Sequence, residues 1–436
     1  MRMKAKEQTE KFIEESKEEM IRKITELISF PSITGRTEEN RACLAYFLRL
    51  AESMGFRTMT TSDCDLGIVE MGQGEETLGI LVHLDVVDID DPAKWMHDPF
   101  EGVVHEGYIW GRGAVDDKGA AIMSLYAMKA VERLQLPWKR KVWLIVGTGE
   151  EGEWTDIEHF KEEYPVPDFG FSPDGEFPIF YAEKGYADVE LLFFEDAAKG
   201  VRFLRSGDSK NTIPSKAEIL FADGRKATAQ GVAAHSSTPE LGDNAIIKLC
   251  RILGKDAKLD FADFVNDNLS GDGFGSRLKI DDGSDYWQGE YVGATTAVPT
   301  VLSLEENGVR LILNVRQRFG TSKQDILSAM ENFCGRYRFR FEVTDYLDAM
   351  LVSRKLPFLD VMSQVHEEYG VPWSFKVAPG TSYAKAMDRF VSWGPVFEGE
   401  PSCAHVEDER ISVDSMLLAT KLYSRFISRM AVCEVE

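Results

Sequence analysis

Cysteine pairs, positive charge and long apolar runs are all scarce in this 436-residue chain. Its six cysteines (Cys43, Cys64, Cys250, Cys334, Cys403 and Cys433) lie far apart and form no CxxC pair. That pattern argues against a disulfide scaffold or a thiolate zinc site and fits reduced thiols in a cytoplasm. Lys and Arg number 50 against 73 Asp and Glu, a formal net charge of −23. Backbone binding to nucleic acid needs clustered cations, so the charge argues against that function, and an anionic membrane surface is disfavoured too. No run of about 18 apolar residues is present to span a bilayer. The opening MRMKAKEQTEKFIEESKEEM lacks the apolar core of a secretory signal. The expectation is an acidic cytoplasmic protein with no nucleic-acid and no membrane partner.

What is present is an ordinary globular composition, 44% apolar and 28% charged. The length exceeds one compact core, so two domains are expected. Phe12, Ile13, Met20, Ile21, Ile24, Leu27 and Ile28 mark one amphipathic helix near the start. A helix over 40–55 closes on Gly55, and a buried strand follows at 79–87. Another helix at 119–134 precedes buried strands at 142–148 and near 169–172. From Tyr186 onward strands gather around hairpin turns, the clearest at Glu306-Asn307-Gly308. Past residue 348 helices and a glycine turn return, with a last helix over 413–430. The predicted fold class is α/β in two domains. An α/β sandwich with a largely parallel sheet, formed by 1–185 and 348–436, is interrupted by an inserted α+β domain at 186–347.

The stretch GILVHLDVVD, residues 79–88, reads as a strand covered on both faces, with six Ile, Leu or Val among ten residues. It nevertheless carries His83 and Asp85, two apart and therefore on one side of the strand. Ligands bind at strand ends in α/β sheets. Three more ends carry acids: Asp116 and Asp117 in GRGAVDDKG, Glu150 and Glu151 in VWLIVGTGEE, and Asp174 in GFSPDG. One such acid alone reads as a helix cap. Four ends brought together would repel one another unless one or two divalent cations offset their charge. Imidazole with carboxylates and no cysteine suits Zn²⁺, Mn²⁺ or Co²⁺ rather than Ca²⁺ or structural zinc. Two ions about 3.5–4 Å apart need a shared carboxylate and a base that is not a ligand. The adjacent Glu150 and Glu151 can take separate roles.

HLDVVD, followed by Trp95, Asp98, Pro99 and Phe100, then GRGAVDDKG, GTGEEGEW and FSPDGEFP, resembles metallopeptidase family M20, motif by motif and in order. The resemblance runs from about residue 20 to 430. Within the family it is most similar to bacterial dipeptidases of the PepV kind and to Xaa-His, carnosinase-like enzymes. It implies that the sandwich is catalytic and the insert a lid. It also implies His83 and Asp174 as ligands of one metal, Asp116 as the bridging carboxylate and Glu151 as a ligand of the other metal. His405, in PSCAHVEDERISVD, is the implied last ligand. Glu150 is the implied general base, and Asp85 the partner that orients His83. Two divalent ions follow, Zn²⁺ foremost, with Mn²⁺ or Co²⁺ as alternatives. The family usually has Gly and Pro where this chain has Val82 and Asp88. Both are backbone positions, so an altered loop with an unchanged ligand set is expected. Asp88, Asp90 and Asp91 add negative charge that would bias against acidic substrates.

In the middle domain the resemblance implies that His235, in GVAAHSSTPELGDNA, stabilises the oxyanion. Asn211, in KNTIP, is the implied second polar group near the same oxygen. Arg316, in LNVRQRF, is the implied partner of a substrate carboxylate, a task suited to a bidentate fork. Gly380 and Thr381, in APGTSYAKA, would offer backbone N–H groups to that carboxylate. His97, His105, His159 and His366 lie in no motif. The expected activity is hydrolysis of dipeptides or short peptides with a free C-terminal carboxylate. The insert of about 160 residues favours this branch and a monomer, with a homodimer as the alternative. The same motifs serve N-acyl-amino-acid deacylases and N-carbamoyl amidohydrolases. A catalytically silent peptide-binding protein is the reading from another class.

Overall fold

The computed structural model describes residues 2–194, 200–271, 274–401 and 403–433. The chain divides into two compact units, Met1–Tyr181 with Val352–Lys376 and Ser382–Glu436, and Ala182–Leu351 with Val377–Thr381.

In the first unit the strands run in the spatial order Arg57–Thr60, Gly67–Gly72, Lys141–Gly147, Thr77–His83, Phe169–Ser172, Phe390–Ser392 and Ile179–Glu183. The centre is parallel, with Thr77–His83 between Lys141–Gly147 and Phe169–Ser172, and Phe390–Ser392 continuing in the same sense. The flanks are antiparallel. The sheet is therefore mixed where a largely parallel one was expected. At one edge the reason is local: only residues 61–66 join Arg57–Thr60 to Gly67–Gly72, too few for a parallel crossover. All of Thr77–His83 is buried. Helix Lys118–Glu132 is buried nearly all round because it packs on this sheet and also on Arg2–Glu15, Lys17–Ile28 and Val413–Ala431. The single amphipathic helix expected near the start is two. At Ser16 the N–H is shared between the Phe12 and Ile13 carbonyls, a tightened turn that separates Arg2–Glu15 from Lys17–Ile28.

The second unit is built on an antiparallel sheet of seven strands, in the order Lys226–Gln230, Lys216–Phe221, Val201–Ser206, Thr296–Glu305, Gly308–Arg316, Tyr186–Phe194 and Phe339–Leu347. Alternation puts Val189, Leu191 and Phe193, with Leu311, Leu313 and Val315, into one core. Helices Ala245–Leu253, Asp260–Asn268 and Lys323–Tyr337 contribute to that core. Asp188, Asn314 and Arg316 fall on the opposite face, and Asn314 stands directly across from Asp188.

Candidate metal centre

The first unit gathers its acidic and imidazole groups where the parallel strands end. His83 closes Thr77–His83 and is fully buried. Its Nδ1 lies 2.9 Å from the main-chain carbonyl of Asp85, a contact that leaves Nε2 facing the acids. Nε2 stands 3.0 Å from Asp116 Oδ1 and 3.8 Å from Asp174 Oδ1, buried and without a hydrogen bond of its own. The other oxygen of Asp116, Oδ2, lies 2.9 Å from His405 Nε2, which is 2.8 Å from Glu151 Oε1. Two groups result, His83–Asp116–Asp174 and Asp116–Glu151–His405, each with its ligand atoms within 4.8 Å of one another. Asp116 belongs to both. Glu150 belongs to neither.

The supports of these side chains are themselves carboxylates. Asp85 lies two residues beyond the strand, which ends at His83 rather than continuing to 87. The shared strand face expected for the pair therefore does not form. The Asp85 carboxylate is 3.5 Å from Nδ1, and its carbonyl makes the closer contact with the ring. Its oxygens instead accept the N–H groups of Glu150 and Glu151, each at 3.1 Å, and the Thr34 hydroxyl at 2.9 Å. Glu409, fully buried, accepts the N–H groups of Gly113, Val115 and Asp116 on Oε1 at 3.0–3.1 Å. Its Oε2 pairs with Arg112 Nη1 at 2.7 Å. This carboxylate shapes the turn that presents Asp116. Asp156 similarly accepts the N–H groups of Thr148 and Gly149, just before Glu150. Glu409 and Asp156 drew no attention in the sequence. Glu409 does lie in the His405 motif, a signal that was there to use.

Electrostatics supply the test of fit for a cation. Burial pushes Glu150 well above the usual carboxylate range, and the charges of Asp174, Glu151 and Asp116 push it further, against His83. Burial also raises Asp117 strongly, with Asp174 adding to it; its Oδ2 accepts the His83 N–H at 3.2 Å and its Oδ1 has no partner. Burial opposes charge on both imidazoles, but the carboxylates win. Asp116 and Asp174 hold His83 well above its ordinary value, and Asp116 and Glu151 push His405 up to about 11. Positive charge is thus drawn to each nitrogen that faces Asp116. A divalent ion supplies that charge better than a proton, and a nitrogen-and-oxygen donor set without sulfur suits borderline or hard ions.

The remaining sequence-derived residues lie in the second unit. Arg316 is buried, and its Nε donates to Asn314 Oδ1 at 2.9 Å. Asn314 in turn donates to Asp188 Oδ1 at 2.8 Å. The guanidinium lies 5.5 Å from the centre of the Tyr186 ring, and among the described residues no carboxylate pairs with it. Arg316, Asn211 and Thr381 line one cavity, together with Tyr186, Asp188 and Asp345. Gly380 adjoins Thr381 but does not line the cavity, and a Cβ there would meet nothing within 4 Å. His235 is exposed, with Nδ1 2.5 Å from the Ser237 hydroxyl. Its strand Ala234–His235 pairs with Thr212–Ile213, and the Asn211 carbonyl accepts the Ser236 N–H.

Residues 79–429 match the family model described as Peptidase family M20/M25/M40. A protein of Bacillus subtilis (strain 168) named "Putative dipeptidase YtjP" is 32% identical over 465 aligned positions, which cover 95% of this chain and 98% of that one. Human carnosine dipeptidase 1 shares the fold at a TM-score of 0.63, with 15% identity and 98% of each chain covered. The aminoacylhistidine dipeptidase of Vibrio alginolyticus also superimposes at 0.63, with 12% identity over 95% of this chain and 96% of that one. At such identities these two structures speak for the fold alone. The family match and the YtjP likeness carry further: this chain belongs to peptidase family M20/M25/M40 and is a hydrolase acting on peptide bonds.

Proposed function

We propose that the protein is a two-metal dipeptidase that cleaves dipeptides or short peptides with a free C-terminal carboxylate. The observation that carries this reading is the sharing of Asp116 by two ligand groups while Glu150 stands outside both. His83 and Asp174 would hold one ion, Glu151 and His405 the other, and Asp116 both. When bound, the ions supply Lewis acidity toward the scissile carbonyl and the attacking water. Zn²⁺ is the first choice, and Mn²⁺ or Co²⁺ suits the same donors.

The chain's own residues do the rest. Asp85, accepting both the Glu150 and the Glu151 amides, holds the two neighbours in separate directions, so one can ligate while the other moves protons. Glu150 accepts the proton of the water and passes it to the leaving amine. His235, with Asn211, stabilises the oxyanion in this reading. Arg316 captures the terminal carboxylate, aided by the backbone at Gly380 and Thr381. A buried guanidinium that forms no ion pair among the described residues, beside a cavity, supports that assignment. The dipeptidase name of YtjP favours a peptide over an N-acyl amino acid. Among the described residues no helix is long and apolar enough to cross a membrane. Free cysteines support a cytoplasmic enzyme, and the monomer is the proposed state.

The test is hydrolysis of Ala-Ala and of an Xaa-His dipeptide beside an N-acetyl amino acid, with added Zn²⁺ or Mn²⁺ and with chelator. Cleavage of the dipeptides alone, lost on chelation, is expected. Cleavage of the acetylated compound alone would make the protein a deacylase, and silence on all substrates would leave a peptide-binding protein.

A further inference from the structure

Four successive amides lead from the end of Lys141–Gly147 into the turn that carries Glu150 and Glu151, and all four end on carboxylates. Glu150 and Glu151 donate to Asp85. Thr148 and Gly149 donate to Asp156 Oδ2, at 2.8 and 3.1 Å. The same oxygen accepts the Tyr383 hydroxyl at 2.6 Å, and Oδ1 accepts the Ile157 N–H at 2.9 Å. Asp156 is 1% exposed and Tyr383 fully buried.

The first turn of a helix is an ordinary place for an acid, and Asp156 stands in the first turn of Thr155–Glu163. An acid serving only that helix would spend its oxygens on the helix's own amides. Here three of the four donors come from outside it. The fit around them is tight: a Cβ on Gly147 would fall 2.5 Å from Asp156 Oδ2 and 2.6 Å from the Tyr383 hydroxyl. One on Gly149 would fall 3.0 Å from Asp156 Oδ1. The two glycines of GTGEE are thus the room that this carboxylate needs.

Contacts continue from there to Glu150. The Tyr383 ring meets the Trp154 ring edge-on at 5.5 Å and the His83 ring at 5.9 Å between centres. The Trp154 indole N–H donates to the Glu150 carbonyl at 2.8 Å. Asp85 therefore holds the N–H of Glu150, Trp154 holds its C=O, and Asp156 with Tyr383 braces the residues just before it.

We propose that Asp156 and Tyr383 are positioning residues that fix the direction of Glu150 without touching substrate. This rests on Glu150 as the base assigned above. Small errors in the placement of a base are costly: about 1 Å of displacement lowers a rate on the order of 100-fold.

The experiment compares Asp156→Ala, Asp156→Asn and Tyr383→Phe in the metal-loaded full chain. Amide exchange at 148–151 is read without substrate, beside kcat, KM and metal content. Asp156→Ala is expected to speed exchange at Thr148 and Gly149 by at least about tenfold. It should lower kcat by about 100-fold with KM changed by less than roughly threefold and metal content intact. Asp156→Asn keeps one acceptor oxygen for all three outside donors and should recover most of both effects. Tyr383→Phe removes a single hydroxyl and should lower kcat by about tenfold, which keeps the test open if the alanine variant does not fold. Unchanged exchange, equal losses in the Ala and Asn variants, or a loss proportional to missing metal would overturn the proposal. The exchange result stands whether or not the wild type cleaves peptides, so a failure of the clamp and a failure of the dipeptidase reading remain distinguishable.

Discussion

His83 and His405 approach Asp116 to nearly the same distance, 3.0 and 2.9 Å, from very different ground. His83 closes a strand that is buried along its whole length and paired on both sides. His405 stands on a turn at φ +62°, outside any helix or strand, with 54% of its side chain exposed. One half of the centre is therefore set by the sheet, and the other by a turn that Glu409, four residues on, ties to Arg112 and to the amides of Gly113, Val115 and Asp116. The lesson is that a symmetrical ligand pattern sits on an asymmetrical scaffold. The two proposed ions should then differ in how firmly they are held, since preorganised ligands lose less freedom on binding.

The severest way to break the comparison is to remove what the halves share. Asp116→Ala is expected to abolish binding of both ions and to lower turnover by at least about 1,000-fold, measured by metal content after dialysis and by peptide hydrolysis. Retention of one ion at full affinity would show that the carboxylate serves only one side.

Next in size is the contrast between the imidazoles. His83→Ala leaves Asp116 and Asp174 facing a buried gap, and is expected to destabilise the chelator-treated protein by about 3 kcal/mol. His405→Ala, at a half-exposed turn, should change that stability by less than about 1 kcal/mol while still weakening one ion by about 100-fold. Thermal denaturation with and without metal separates the two. Equal shifts in the chelator-treated protein would remove the distinction between sheet and turn.

How far the centre could be read in advance follows the same division. His83, Asp116, Glu150, Glu151 and Asp174 were legible because each interrupts or ends an apolar run where an acid or imidazole has no packing reason to be. His405 has no such run beside it, and only the family motif singled it out. The roles of the supporting acids were not legible, although Glu409 lies within the His405 motif. Glu409 and Asp156 are two among 73 acidic residues, and their burial exists only once distant amides close around them. The strand face expected to hold His83 and Asp85 together was misplaced for a geometric reason. The apolar letters run to Val87, but the ladder stops at His83, whose partner Gly147 already begins the next turn. Hydrophobic letters mark burial, whereas strand ends are set by the neighbour's hydrogen bonds.

The smallest effect is a titration that sharpens the contrast at the exposed half. Asp116 and Glu151, against burial, push His405 up to about 11 in the metal-free protein. A histidine raised in the folded state contributes stability that is fully present below its unfolded value of about 6.5 and lost as pH rises through about 11. An ion entering this half must displace that proton, because only neutral imidazole ligates. Affinity there should therefore rise with pH, by at most about tenfold per unit between about pH 6 and 8 for one proton released. Calorimetry in buffers of different ionisation enthalpy counts the proton. His405→Gln, which offers an oxygen but has no proton to surrender, should release one fewer, and an unchanged count would assign the proton to another group of the centre.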